Sequence, residues 1–195
     1  MINRKLTFDS IHNEFGSLKQ NQVVGIDAFI DEYEKRELKD PRFLAYMLAT
    51  AWHETRATMQ PIEEDGRGKG KAYGSHYKEA KDKNGQRLPY TDTKNLFYGR
   101  GYVQLTWYEN YKKATAKNLK GWDFMLNPGL MLQVEPAIWA AFEGMINGWF
   151  TGKRLSDYFN AKSAPVSARR IINGTDRAEL IAGYYEKFKK SITHE

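Results

Sequence analysis

The residues Ala49-Thr50-Ala51-Trp52-His53-Glu54-Thr55 close a strongly apolar stretch that begins at Phe43 and predicts a buried helix. The apolar pattern stops at Glu54, which follows Ala51 by three positions and therefore lies near the end of the packed face. Because burial disfavours the charged form of a carboxyl group, apolar neighbours are expected to keep Glu54 protonated. Taken alone, a glutamate at a helix end is equally typical of a solvated surface acid.

Two further acids, Glu63 and Glu64, follow at the edge of a polar, glycine-rich stretch. A carboxyl group in such a wet loop can stay ionised. General acid/base hydrolysis commonly uses one protonated carboxyl group as the acid and one ionised carboxyl group as the base. By themselves, Glu63 and Glu64 are more typical of solvated loop charge.

Composition sets limits on the chain. Its 195 residues predict one domain, and 41% hydrophobic and 14% aromatic residues suffice for a core. No stretch approaches the roughly 20 apolar residues that cross a bilayer, and the N-terminus has no secretory pattern. There is no cysteine, and His53-Glu54 lacks the second histidine of a zinc-protease motif because position 57 is alanine. We therefore predict no metal and no cofactor. The net charge of +6 favours an anionic partner.

The pattern along the chain predicts a mainly α-helical protein. A glycine-rich stretch with the turn signal Asn84-Gly85 predicts a small irregular loop or hairpin lobe over about residues 60–97 of the single domain 1–195. Helices are predicted over residues 7–15, 20–38, 40–54, 108–119, 135–149, 165–172 and 177–191.

Several motifs resemble, in the correct order, those of the family 19 glycoside hydrolases, which comprise plant-type chitinases and related phage endolysins of the lysozyme-like superfamily. They are His53-Glu54-Thr55, Tyr98-Gly99-Arg100-Gly101-Tyr102-Val103-Gln104-Leu105-Thr106-Trp107, Asn110-Tyr111 and Ile172-Asn173-Gly174. The stretches Thr58-Met59-Gln60-Pro61-Ile62-Glu63-Glu64 and 145–152 look like the endolysin branch in particular. The resemblance implies a lysozyme-like helical domain with a catalytic cleft.

The resemblance also implies roles for residues. Glu54 is then the general acid, Glu64 the general base with Glu63 as the alternative, and Thr106 the hydroxyl that orients the attacking water. Such enzymes invert the anomeric centre, which requires carboxyl groups roughly 6.5–9.5 Å apart. The candidates for holding substrate or the catalytic carboxylates are Tyr98, Arg100, Gln104, Asn110 and Asn173. Chitinases of the family continue Asn-Gly with another glycine and a nearby acid, whereas this chain has Thr175-Asp176-Arg177.

The expected function is that of an endolysin, a bacteriolytic muramidase (lysozyme) that hydrolyses the glycan strands of peptidoglycan. The expected protein is a monomer, made in the host cytoplasm and released to the periplasm with the help of a holin. A chitinase is the alternative within the family. A cationic protein that disrupts walls or anionic membranes through its C-terminal run, residues 184–190, is the alternative from another class. Nucleic acid is not an expected partner, since the basic residues are mixed with acids.

Overall fold

The computed structural model describes residues 1–194, and the chain is mainly α-helical, as the sequence predicts. The helices of this described part are α1 Arg4–Phe15, α2 Gln20–Lys35, α3 Pro41–Glu54, α4 Tyr108–Lys117, α5 Val134–Asn147, α6 Leu155–Tyr158 and α7 Ala178–Ser191. The strands are β1 Ile62–Glu63, β2 Tyr77–Lys81, β3 Arg87–Pro89 and β4 Arg100–Gly101. Short 3-10 helices cover Asp65–Gly68, Ala72–Gly74, Pro128–Leu132 and Ser167–Ile171.

The chain forms two compact units. The first unit consists of Met1–Gln60 together with the residues from Ala141 onward, and the second unit is Pro61–Ala140. The predicted irregular lobe over about 60–97 lies at the start of the second unit, which extends further than the lobe. That the two units act as one catalytic domain stays a prediction.

Helix α3 is the centre of the first unit. Its N-terminus is capped by Asp40, whose carboxylate accepts the N–H of Arg42, and Pro41 occupies the first turn, where proline is tolerated. Every residue from Leu44 to Trp52 is buried. A helix that is apolar all round belongs inside a core, so the apolar run predicted from the sequence is the central element of this unit.

The C-terminal helix α7 packs against α1 and α3. The Phe15 ring joins the three helices, since its centroid lies 4.7 Å from that of Trp52 and 4.6 Å from that of Phe188. The residues of α7 that are buried in this packing are Ala178, Ile181, Ala182, Tyr185, Phe188 and Ser191. The apolar face of α7 is therefore buried within the first unit.

The segment that follows α3 is fastened to α2. A Cβ atom on Gly25 would lie 1.8 Å from the carbonyl oxygen of Met59, so the two backbones approach as closely as only glycine allows. The side-chain amide of Gln22 donates to the carbonyl of Ala57 at 2.8 Å, and that of Gln60 donates to the carbonyl of Asn21 at 2.7 Å. These contacts fix the path of the chain just beyond Glu54.

Two small antiparallel sheets organise the second unit. Strands β1 and β4 pair with Ile62 opposite Gly101, and β2 and β3 form a hairpin. Glu109 in the first turn of α4 accepts the backbone N–H groups of Glu79 and Ala80 at 3.0 and 3.1 Å, which ties the hairpin to that helix. The predicted loop or hairpin lobe is thus a true hairpin preceded by short 3-10 turns.

Helices α2 and α4 end earlier than the sequence predicts, one because of a backbone conformation and the other because of a side-chain cap. Helix α2 ends at Lys35 because Glu37 adopts a left-handed conformation, with φ of 52°. Helix α4 ends at Lys117 because the Asn118 side-chain amide donates to carbonyls of its last turn. The predicted helix over 165–172 is a 3-10 helix, and α6 was not predicted. Within residues 1–194, no helix has both the length and the apolar character needed to cross a bilayer.

Candidate active site

One group of candidate residues lies in the first unit, at the end of α3. Glu54 is the last residue of that helix, and its side chain keeps 15% of its exposure. The next residue, Thr55, is fully buried; its hydroxyl donates to the carbonyl of Ala51 at 2.7 Å and accepts the N–H of Met59 at 3.1 Å. The buried threonine thus ends the helix in a fixed way and holds Glu54 at its rim.

Glu54 has a charged partner. Nη1 of Arg169 lies 2.6 Å from Oε1 of Glu54, and the Arg169 side chain is only 5% exposed. Nε of Arg169 donates to the carbonyl of Asp176 at 3.0 Å, which fixes the plane of the guanidinium. The prediction that Glu54 has apolar neighbours is therefore wrong in one respect: the helix before it is apolar, but the group that contacts its carboxylate is a buried cation.

The neighbouring imidazole of His53 responds to the same charges. Burial lowers the pKa of His53 from its ordinary value of 6.5, the positive charges of Arg169 and Arg177 lower it further, and Glu54 and Asp176 oppose the change. His53 is therefore neutral near pH 7, and the charge of Arg177 is felt at the end of α3.

Asn173 lies in the turn that follows Arg169. Its backbone N–H donates to the carbonyl of Arg169 at 3.0 Å, and its side-chain oxygen accepts the N–H of Gly174 at 2.8 Å. The side chain is exposed and shapes this turn. Its contact with substrate stays a prediction.

A separate group of candidate residues lies in the second unit, where β1 meets β4. Glu64 directly follows β1; its backbone N–H donates to the carbonyl of Gly99 at 2.9 Å, and its Oε1 accepts the N–H of Gly99 at 3.0 Å. The Tyr73 hydroxyl donates to Oε2 at 3.1 Å. Both carboxylate oxygens of Glu64 thus accept a hydrogen bond from a neutral donor.

Glu63 has different partners. Its Oε1 pairs with the guanidinium of Arg67 at 2.8 Å, and its Oε2 accepts the hydroxyl of Tyr98 at 3.1 Å. Glu63 is thus paired with an arginine and Glu64 with neutral donors, and the choice of Glu64 as the general base stays a prediction.

Thr106 and Gln104 lie beside the residue that holds Glu64. A Cβ atom on Gly99 would lie 2.8 Å from Oε1 of Gln104 and 3.4 Å from Oγ1 of Thr106. The Thr106 hydroxyl donates to the carbonyl of Gln104 at 2.7 Å, which leaves its oxygen able to accept a further hydrogen bond. Gln104 has φ of 54° and donates its amide to the carbonyl of Ile62 at 3.1 Å. The structure thus brings Glu64, Gln104 and Thr106 together.

Arg100 faces the interior of the second unit. It is 7% exposed, and its Nη1 donates to the carbonyls of Leu96 and Tyr98 and to the hydroxyl of Tyr111 at 3.1–3.2 Å. Its guanidinium carbon lies 3.5 Å from the centroid of the Tyr98 ring. Through these contacts Arg100 orients Tyr98. Direct contact of Arg100 with substrate stays a prediction.

Asn110 links α4 to the same segment, since its side-chain amide donates to the carbonyl of Thr106 at 2.9 Å. This bond closes the turn in which Trp107 has a positive φ of 76°. Asn110 therefore positions the backbone next to Thr106, and its contact with substrate also stays a prediction.

Comparison with solved structures shows which fold the chain has. Chitinase C from Streptomyces griseus superposes with a TM-score of 0.59 at 21% identity, over 94% of this chain and 74% of the chitinase. A bacterial family 19 chitinase superposes with a TM-score of 0.54 at 22% identity, over 94% of this chain and 92% of the chitinase. The chain has the fold of the family 19 chitinases. Neither a protein-family model nor a curated protein sequence matches the chain significantly.

Within this chitinase fold, two contacts of the candidate acids were not predicted from the sequence. Arg169 follows the buried Ala168 and stands two positions before the buried Ile171, and an arginine among buried apolar positions is a signal of a buried ion pair. Tyr73 lies in the glycine-rich lobe, where nothing in the sequence distinguishes it from its neighbours. The described residues contain no group of three or more His, Asp or Glu side chains placed to hold a metal ion.

Proposed function

We propose that the protein is a glycoside hydrolase that cleaves the glycan strands of bacterial peptidoglycan by an inverting acid/base mechanism. One observation carries the proposal: a partly buried carboxylate, Glu54, ends the central helix of a fold that is shared with chitinases and is held there by the buried Arg169. A buried ion pair at the rim of a helix is costly to build, and a catalytic role accounts for it.

In the proposed mechanism, Glu54 first binds a proton while keeping its hydrogen bond from Arg169, and then donates that proton to the glycosidic oxygen. Glu64 accepts a proton from the attacking water. Glu54 becomes a carboxylate as the bond breaks, and the guanidinium of Arg169 at 2.6 Å stabilises that charge. Thr106, beside Gly99, supplies a hydroxyl oxygen that accepts a hydrogen bond from the water. An inverting mechanism requires the two carboxyl groups to stand roughly 6.5–9.5 Å apart.

The choice of peptidoglycan rests on the sequence and on charge. The stretch 58–64 resembles that of phage endolysins, and the net charge of +6 suits a wall polymer that carries peptide carboxylates. Chitin carries no charge. In keeping with an endolysin, the proposed protein acts as a monomer, is made in the cytoplasm of an infected bacterium and reaches the wall with the help of a holin.

A chitinase is the second candidate, and a specific observation favours it: both solved structures named above are chitinases. The sequence departs from the chitinase pattern at Thr175-Asp176-Arg177, after Asn173-Gly174. Substrate comparison separates the two candidates. Release of oligosaccharides from chitin, without clearing of peptidoglycan, would support the chitinase.

A lysis assay on purified Gram-negative peptidoglycan tests the proposal. Wild-type protein is expected to clear the suspension. Glu54→Gln is expected to lose clearing at a temperature where thermal unfolding shows that it is still folded, because it leaves the buried Arg169 without its carboxylate and lowers stability. Glu79→Gln, the same substitution at an exposed glutamate of β2, is the matched control and is expected to clear normally. Mass spectrometry of the products is expected to show muramic acid at the new reducing ends. Unchanged clearing by Glu54→Gln would contradict the proposal.

The non-enzymatic alternative makes a different prediction in the same assay. Lysis would survive Glu54→Gln and disappear when the α7 lysines are neutralised. The structure gives those lysines partners: Lys187 donates to the carbonyl of Glu14 at 2.8 Å, Lys190 lies 3.7 Å from the Glu14 carboxylate, and Lys189 pairs with Glu186. Since the apolar face of α7 is also buried, this helix is poorly suited to inserting into lipid.

A further inference from the structure

A surface cavity of about 470 Å³ lies within the first unit, beside the segment that holds Arg169. Its walls are formed by the 3-10 helix Ser167–Ile171 and by the turn before α7. The residues that give it chemical character are the cations Arg170 and Arg177, the hydroxyl-bearing Thr175, and the exposed apolar Val166 and Leu180. The cavity thus combines positive charge with aliphatic surface.

The two arginines of the cavity are not neutralised by ion pairs. Both side chains are exposed, and within residues 1–194 neither guanidinium has a carboxylate within ion-pair distance. Glu179 also lines the cavity and offsets part of the charge. With two cations and one anion, the cavity keeps a net positive charge and donors that suit a carboxylate ligand.

The cavity is coupled to the proposed catalytic acid through two short connections. Arg170 follows Arg169, which bonds Glu54, and Arg177 follows Asp176, whose carbonyl accepts Nε of Arg169 at 3.0 Å. Arg177 is also one of the charges that lower the pKa of His53. Two of the residues that line the cavity are thus chain neighbours of the groups that contact Glu54 and orient Arg169, so the cavity adjoins the proposed catalytic acid.

We infer that the cavity binds the acidic stem peptide carried by the glycan and that Arg170 and Arg177 determine the preference for a peptide-bearing strand. This inference rests on the proposed function and names the part of the substrate that is recognised. A stem peptide offers carboxylates to the guanidiniums and small aliphatic side chains to Val166 and Leu180. Chitin has acetamido and hydroxyl groups, which can accept neutral hydrogen bonds, but no anion to form the stronger charge-assisted bonds with the two arginines.

The test compares two forms of the same glycan. One is soluble peptidoglycan with its stem peptides, and the other is the same material after an amidase has removed them. The variant is Arg170→Gln/Arg177→Asn, in which asparagine suits the left-handed backbone of position 177, where φ is 58°. On the peptide-bearing substrate we expect roughly a tenfold rise in KM with kcat nearly unchanged, the result of losing one or two charge-assisted bonds. On the peptide-free glycan we expect wild-type kinetics.

A charge-matched control separates local recognition from general attraction to an anionic wall. Lys39→Gln/Lys83→Gln removes the same charge from exposed positions outside the cavity and is expected to match the wild type on both substrates. Arg170→Lys/Arg177→Lys keeps the charge and is expected to recover part of the lost affinity. The arginine effect is expected to shrink in about 1 M salt, where charges are screened within about 3 Å.

The outcomes separate the inference from the proposed function. If the wild type cleaves both substrates and the arginine variant matches it on both, or loses activity equally on both, the inference fails and the proposed function stands. An equal loss from the lysine control would also overturn the inference. Wild-type protein that cleaves neither substrate would overturn the proposed function and the inference with it. Thermal unfolding of each variant confirms that these exposed substitutions leave the fold intact.

Discussion

Replacing Arg169 by methionine tests the ion pair at the end of α3. The substitution keeps most of the side-chain volume and removes the cation 2.6 Å from Glu54, together with the bond to the Asp176 carbonyl. The carboxylate then remains in a place where it is only 15% exposed. Arg169→Met is therefore expected to destabilise the protein more than an ordinary surface change does.

The magnitude follows from the burial of the two partners. Removing one partner of a buried ion pair costs roughly 3–5 kcal/mol, and the remaining exposure of Glu54 places the expected loss at the lower end, about 3 kcal/mol. For a chain of this size, about 3 kcal/mol corresponds to a fall in Tm of about 6–12 °C. The exposed neighbour Arg170 provides the control, since Arg170→Met is expected to change stability by about 0.5 kcal/mol or less.

A double-mutant cycle assigns the loss to the pair. In Glu54→Gln/Arg169→Met neither charge remains buried, so the double variant is expected to be more stable than Arg169→Met alone. A coupling free energy of about 2 kcal/mol, measured by urea unfolding of the four proteins, is the expected result. Additive losses, or an Arg169→Met protein as stable as the wild type, would refute the ion pair as the group that holds Glu54.

Three further predictions concern other contacts of the site. Tyr73→Phe removes a donor to Glu64 and is expected to lower kcat/KM on peptidoglycan about tenfold while Tm changes little, as steady-state kinetics and thermal unfolding would show. Gly25→Ala forces a Cβ against the Met59 carbonyl and is expected to cost about 1–3 kcal/mol or more in urea unfolding, whereas Gly183→Ala, where the Cβ meets open space, is not. Folding lowers the pKa of His53 from 6.5, so the unfolded chain binds the proton more readily than the folded chain. Stability is therefore expected to fall as the pH drops from about 6.5 through the lowered pKa. His53→Asn is expected to flatten that part of the curve of Tm against pH, and an unchanged curve would contradict the prediction.

Much of the fold follows from local sequence patterns. The helices α1 to α5 and α7 were predicted because their apolar residues recur at helical spacing. The missed features depend on contacts remote in the chain. The pairing of β1 with β4 involves two residues on each strand, and so short a strand has no periodicity to read.

For the candidate site residues, too, local sequence indicated some features, while others depend on contacts remote in the chain. Glu54 and the pair Glu63 and Glu64 stand where the character of the sequence changes, and Glu64 was preferred to Glu63 because of the resemblance to the endolysin motif. The structure gives each of these acids a defined set of partners. The partner of Glu54 comes from a residue 115 positions away, so the apolar helix before it gave a misleading picture of its surroundings. Arg100 is a polar residue in a motif, and only the three-dimensional structure shows that its guanidinium is directed inward.

The anomeric configuration of the fresh product tests the acid/base account most directly. Proton NMR during hydrolysis of soluble peptidoglycan follows the new reducing end before mutarotation equalises the two anomers. Attack by a water molecule activated by Glu64, with Glu54 protonating the leaving oxygen, inverts the β-linkage, so the α-anomer is expected to accumulate first. Initial accumulation of the β-anomer would mean retention of configuration and would contradict the assignment of Glu54 and Glu64 as an inverting pair.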